Sequence, residues 1–164
     1  MLYRTLGEMM NIRQAEPQDV GEIAYMIMKW ATDELPEAVR IMEPTAQQAE
    51  RTARLIVFQP YYITRVLENG NGIVGAYVIL RFPEGTFGDE PYGSLLGVYV
   101  KPEHRGYQAL GLRLLMDAQE QARQSCLSRL EINPMPRSRG MSHILKRMGY
   151  EPLCVTHMKR LSHV

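Results

Sequence analysis

The residues of this chain best suited to chemistry lie together between Ser94 and Leu115, in the run SLLGVYVKPEHRGYQALGLRLL. Leu95, Leu96, Val98 and Val100 make a β-rich segment that Pro102 must end, and Gly111, Leu114, Leu115, Ala118 and Ala122 then recur at helical spacing. This pattern predicts a helix N-terminus at the end of a strand, with Arg105-Gly106 in the turn between them. The first turn of a helix leaves backbone N–H groups without partners and carries partial positive charge, so it suits a phosphorylated ligand. Arg105 adds a full charge at that point, and Lys101 and His104 extend the local basic site. The plainer alternatives are a solvated or Glu103-paired Arg105 and a merely exposed His104.

Composition bounds the rest. With 164 residues, 45% of them hydrophobic, the chain predicts one buried core and one domain over residues 1–164. Met9 and Met10 directly precede the first strand, so residues 1–9 read as a dispensable extension. A net charge of +1 gives no global field for nucleic acid or an anionic membrane, and any phosphate affinity must be local. Cys126 and Cys154 have no C-x-x-C spacing, which points to reduced buried thiols, no metal and a cytoplasmic protein. No apolar run approaches the ~18 residues a bilayer span requires, so the chain reads as soluble.

Several elements must position the Ser94–Leu115 segment. Met10 to Ala15 reads as a first strand, and Glu16-Pro17 opens a helix with Val20, Ile23, Ala24 and Ile27 on one face. Thr45 is the expected N-cap of a second helix bearing Ala49, Ala53, Leu55, Ile56 and Val57. Tyr61 to Leu67 and Ile73 to Leu80 read as strands joined by a hairpin turn over Glu68–Gly72. Pro83 to Gly93 reads as a loop, Leu127 to Ile132 as a strand, Ser138 to Met148 as a short helix and Leu153 to Met158 as a last strand. The order β-α-α-β-β-β-α-β-α-β excludes a simple doubly wound sheet. Neither G-x-G-x-x-G after a strand nor G-x-x-x-x-G-K-[S/T] is present, which removes the best support for dinucleotide or NTP binding.

In these motifs the chain resembles the GCN5-related N-acetyltransferase (GNAT) family, whose signature runs from a strand ending in V-x-P through a basic Gly-rich loop into a long helix. The family's loop core, [Q/R]-x-x-G-x-[G/A], aligns best here if one residue is inserted, so that Ala109 and Gly111 take the small positions otherwise held by Gln108 and Leu110. Leu114 and Leu115 then match the helix's paired leucines. INPMPRSRGMSHILKRMGYEP resembles the family's late strand, helix and Gly-aromatic turn, with Gly149-Tyr150 closing the helix. Leu145 stands where the family often has a Tyr general acid. The resemblance, over roughly Met10 to Leu161, implies an α/β fold of the acyl-CoA N-acyltransferase type: a mixed, mostly antiparallel central sheet flanked by helices.

It further implies transfer of an acetyl group from acetyl-CoA, without a metal, to a primary amine on a small molecule, peptide or protein, both substrates being bound together. Val98, Tyr99 and Val100 would line the pantetheine. Arg105, Gly106, Tyr107, Gln108, Ala109, Leu110 and Gly111 would hold the pyrophosphate, and Asn133, at the end of the next strand, is a further cofactor candidate or only a strand cap. The base is open among Glu84, Asp89, Glu90 and Glu131, and His143 is a candidate acid or simply a surface histidine. Tyr99 and Tyr150 read as packing aromatics. Trp30, Tyr61 and Tyr62 either build an acceptor pocket near the acidic Asp33, Glu34 and Glu37 or pack as a plain aromatic cluster. Two rival readings remain at this point: a GNAT-fold module that binds a partner or senses acyl-CoA without turnover, favoured by Gln108, Leu110 and Leu145, and a transferase of a longer acyl or aminoacyl group. A monomer and a homodimer are equally compatible with the sequence.

Overall fold

The computed structural model describes residues 10–33, 45–84, 90–106, 109–132 and 139–151. Strand β1 (Asn11–Gln14) leads through a short 3-10 turn at Pro17–Asp19 into helix α1 (Val20–Asp33), followed by α2 (Ala46–Phe58). Strands β2 (Tyr62–Asn69), β3 (Gly72–Phe82) and β4 (Tyr92–Val100) come next. Helix α3 (Leu110–Gln124), strand β5 (Leu130–Ile132) and helix α4 (Arg139–Arg147) complete the described elements. The strand expected at Leu153–Met158 lies outside the described residues.

The helix starts follow from their residues. Thr45 Oγ1 accepts the Gln48 amide at 3.2 Å while the Gln48 side chain accepts the Thr45 amide at 2.8 Å, so two N-terminal donors of α2 are satisfied reciprocally. Ahead of α1, Asp19 accepts the Glu16 amide at 2.7 Å and a two-pronged contact from Arg13, at 2.7 and 3.0 Å. Arg13 also donates to Glu68 on β2 at 2.8 Å, which ties the start of α1 to the sheet. Ala49, Ala53 and Ile56 form the buried stripe of α2, whereas Leu55, expected on it, is exposed because it falls off the 3.6-residue period.

The sheet has the order β1-β2-β3-β4-β5; the first four strands pair antiparallel and β4 pairs with β5 in parallel. The β2–β3 turn is tighter than the sequence suggests. Asn69 pairs with Gly72, leaving a two-residue loop, and Gly72 at φ 127° takes a conformation that favours glycine. β5 is shorter than expected because Leu127 caps α3 instead, its amide bonding Ala122 O at 3.0 Å, while Ser128 bonds Pro91 O at 2.8 Å. β4 begins three residues before the expected run, with Tyr92 stacked on Phe82 at 4.6 Å.

Two apolar layers sandwich the sheet. On one face α3 packs Leu110, Leu114, Leu115 and Ala118 against Leu67, Tyr77, Ile79 and Leu95. On the other, α1 and α2 pack Ile23, Met26, Ala53 and Ile56 against Val66, Ala76 and Tyr99. At Gly75 a Cβ would lie 2.8 Å from Tyr99 O and 3.2 Å from Leu114 Cδ1, so glycine is what lets β3, β4 and α3 approach this closely. No described helix is long and apolar enough to cross a membrane.

Candidate active site

The site is built around an irregularity in β4. Ile79 pairs with Leu95 and Val78 with Gly97, so Leu96 is an extra residue without a partner on β3. The bulge changes the alternation of the strand. Leu95 before it, and Val98 and Val100 after it, pack toward α3, while Tyr99 turns to the α1/α2 layer.

The two sides of β4 end differently. Along β3, pairing continues to Val100, but the parallel pairing with β5 covers only Gly93–Leu95. From Leu96 to Val100 no described strand covers the far edge of β4. That edge leads to α3. The junction is a 3-10 turn at Pro102–His104, then Gly106 at φ 80°, then Ala109 at φ 49° as the N-cap of α3. A left-handed Ala costs roughly 1 kcal/mol. Among the described residues no side chain caps this N-terminus, and its first turn holds no acid. The first backbone bond back into the helix runs from the Arg113 amide to Ala109 O at 3.0 Å. A Cβ on Gly106 or Gly111 would meet no atom of the described residues within 4 Å, which leaves room for an anion to approach.

The basic residues are arranged differently from the expectation of a free cluster. Lys101 forms an ion pair with Glu22 on α1 and lies 6.0 Å from the Tyr25 ring centroid, which ties the end of β4 to α1. Arg105 bonds Val100 O at 2.8 Å and lies over Tyr99 at 5.2 Å, so the expected alternative of a Glu103 pair is not the arrangement found. His104 is half-buried rather than exposed. Among the other cofactor candidates, Val98 and Val100 are half-buried and Leu110 is buried in the α3-facing core; Tyr107, Gln108 and Asn133 lie outside the described residues.

The catalytic candidates scatter. Glu84 and Glu90 are exposed on either side of residues 85–89, and Asp89 is outside the described residues. His143 is exposed on α4, and Leu145 is buried there at 6% exposure. Glu131 pairs in register with Ser94, one residue before Leu95, and accepts a 3.0 Å bond from Arg129 Nε. Because Leu130 and Ile132 pack toward α3, strand alternation turns Glu131 to the α1/α2 face. Tyr150 follows Gly149, which at φ 85° ends α4, with the Tyr150 amide on Leu145 O at 3.0 Å. Burial pushes the Tyr150 phenol up, against the opposing charge of Arg123, and it lines a separate cavity with Arg123, Leu127 and Met148. Cys126, expected to be buried, is exposed, because it occupies the left-handed position after α3 at φ 57°.

Beside the bulge, between α1, α2 and β4, lies a cavity of about 190 Å³. Trp30 lines it, whereas Tyr61 and Tyr62 do not; they pack on each other at 4.8 Å. Asp33's side chain, Glu34 and Glu37 are outside the described residues. Sequence reasoning missed Ile23, Met26, Ile27 and Thr52 as cavity walls, since their helical spacing reads only as a core stripe. Among the described residues no cluster of His, Cys, Asp and Glu is able to hold a metal ion.

A mixed sheet with a bulged fourth strand, an open β4 edge and an uncapped helix behind it is the architecture of acyl-CoA N-acyltransferases. Residues 24–150 match the model of the Acetyltransferase (GNAT) family, and the chain belongs to that family. No curated protein matches it in sequence. Its fold is similar to that of a possible acetyltransferase from Clostridium difficile 630, at 11% identity and a TM-score of 0.75, covering 95% of this chain and 99% of the other. A ribosomal-protein-alanine N-acetyltransferase from Brucella melitensis biovar Abortus 2308 superposes at 16% identity and a TM-score of 0.71, covering 93% and 99%. An aminoglycoside acetyltransferase from an uncultured soil metagenomic sample, solved with sisomicin, gives 12% and 0.69, covering 96% and 99%.

Proposed function

We propose that the protein transfers the acetyl group of acetyl-CoA directly to a primary amine, with both substrates bound at once. The observation that carries this reading is that, among the described residues, no strand covers the β4 edge beyond Leu95, and this edge leads to an α3 N-terminus that no described side chain caps. Amides at Leu110, Gly111 and Leu112 would take the pyrophosphate, helped by Arg105 once it leaves Val100 O. Val98, Tyr99 and Val100 would line the pantetheine. When bound, acetyl-CoA supplies an already activated thioester.

The chain's own contribution is then orientation, charge stabilisation and proton handling. A backbone N–H on the open edge after the bulge would donate to the thioester oxygen as negative charge develops there. Glu131, on the same face as the cavity, is the best-placed carboxylate to receive the ammonium proton, directly or through water. The C–N bond forms, the C–S bond breaks, and the second proton of the attacking nitrogen passes through water to the departing thiolate, since Leu145 carries none. Loss of Glu131 is expected to be modest, since a desolvated and oriented amine needs little further activation.

Calorimetry with acetyl-CoA, free coenzyme A and ATP tests the reading. Binding near the micromolar range, about 8 kcal/mol, that depends on the pantetheine arm and is unmatched by ATP is the expected result, together with thiol release when an amine is added. Binding without turnover on any amine would favour the acyl-CoA-sensing module instead. Absence of coenzyme A binding by the folded protein would overturn the proposal.

A further inference from the structure

The acetyl-transfer reading leaves the acceptor unnamed, and the cavity beside the bulge bears on it. Its walls come from Ile23, Met26, Ile27 and Trp30 on α1, Ile56 on α2 and Leu96 of the bulge, and the surface they present is almost wholly apolar. No charged side chain is among its described walls. Glu22, next to Ile23, is already paired with Lys101. An ammonium or a sugar pressed against these walls would lose hydration and find no charged partner among them. An apolar group would lose nothing there.

Gly97 adds an independent observation. It lines the cavity, its φ is not in the left-handed region, and a Cβ built on it would touch no atom within 4 Å. Neither backbone conformation nor packing of the protein against itself requires glycine at this position, and the space it leaves belongs to the cavity. In size, about 190 Å³ exceeds the roughly 150 Å³ apolar cavity that admits benzene.

We infer that the acceptor is a primary amine carried on an apolar group, about as large as a phenyl ring or a branched aliphatic side chain, seated between α1, α2 and the β4 bulge. The pyrophosphate anchor of the acetyl donor at α3 lies on the opposite face of the sheet, and Val98 and Tyr99, which belong both to the pantetheine path and to the cavity wall, mark where donor and acceptor would meet. Coenzyme A running along the open edge reaches the bulge from that side and leaves the α1/α2 face to the acceptor. The same group occurs on a free amine or on the first residue of a peptide.

Two measurements test this. Trp30 is the single tryptophan of the chain and lines the cavity, so its fluorescence reports occupancy without turnover. Titration with 2-phenylethylamine is expected to shift it where ethylamine and spermidine do not. In the acetylation assay kcat/KM for 2-phenylethylamine should exceed that for ethylamine or spermidine by about 100-fold. Peptides beginning with Phe or Gly separate the two sources: a Phe peptide outrunning 2-phenylethylamine indicates a peptide acceptor, the reverse a free amine. Gly97→Val should remove most of the preference while the circular dichroism spectrum stays as in the parent. Preference for spermidine or sisomicin overturns the inference, as does a preference for butyryl-CoA over acetyl-CoA without selectivity among amines. A Trp30 shift specific to 2-phenylethylamine without transfer to any amine would support the cavity's chemistry and count only against acetyl transfer.

Discussion

The Tyr77 phenol, at the centre of β3, donates a 2.7 Å hydrogen bond to Asp117 Oδ2 on α3. Arg65 of β2 approaches the same carboxylate oxygen at 3.3 Å, so two strands hold one helix through one acid. Burial and the Asp117 charge both push the Tyr77 phenol well above its ordinary range, and it stays a donor at any physiological pH. The arrangement ties the middle of α3 to β2 and β3.

Asp117→Ala should therefore cost about 2 kcal/mol, the penalty for leaving a buried hydroxyl and a half-buried guanidinium without their acceptor. Urea unfolding measures it. Asp117→Asn, which keeps an acceptor for the phenol, should cost less; equal loss in both variants would mean that charge alone matters.

Stability should also depend on pH through Asp19, which is 4% exposed. Burial is the largest influence and raises its pKa, but the Arg13 bonds, the Glu16 amide and the Arg13 charge together outweigh it and leave the pKa lowered. A lowered folded-state pKa means the unfolded chain binds the proton first. The contribution is complete above the unfolded value of about 4. It is lost as pH falls from there through the folded pKa. Thermal unfolding between pH 6 and pH 3 should show a steeper acid loss in the parent than in Asp19→Asn.

Gly111 and Arg105 separate binding from folding. Because a Cβ at Gly111 meets nothing in the protein, Gly111→Ala should leave the melting temperature unchanged or raised. It should lower coenzyme A affinity about tenfold, roughly 1.4 kcal/mol, by blocking the backbone. Arg105→Glu, at an exposed position, should weaken coenzyme A more through charge reversal and leave the circular dichroism spectrum intact. Unchanged affinity in both would displace the pyrophosphate from this loop.

At the other end of α3, Cys126 pays for a left-handed backbone that glycine adopts freely. Its amide bonds Arg123 O at 3.0 Å and Leu127 follows onto Ala122, a helix stop that needs no side chain at this position. Cys126→Gly should stabilise the protein by about 1 kcal/mol, read as a higher urea midpoint with unchanged slope.

Much of this architecture was legible in the chain because the signals are local. Thr45 and Gln48 cap α2 with their own side chains, Gly70-Asn71 turns a hairpin between two apolar runs, and Leu114, Leu115, Ala118 and Ala122 mark one face of α3 by spacing alone. The strand-to-helix junction at Arg105-Gly106 follows from the same kind of short-range information. What depends on strands and helices meeting was not legible. The bulge at Leu96 exists only relative to β3, where two residues of one strand face one step of the other. Lys101 and Arg105 looked like a shared phosphate site until Glu22, Tyr99 and Val100, brought close by folding, took up their charges and donors. The apolar cavity is the clearest case: Ile23, Met26, Ile27 and Trp30 carry a core-like pattern, and only the divergence of α1 from the bulged β4 turns part of that core into open space. Sequence alone determined the elements and their order, since propensity, capping and turn chemistry act over a few residues. Tertiary structure decided the shape and polarity of the acceptor side, since those arise from gaps between elements that no single segment encodes.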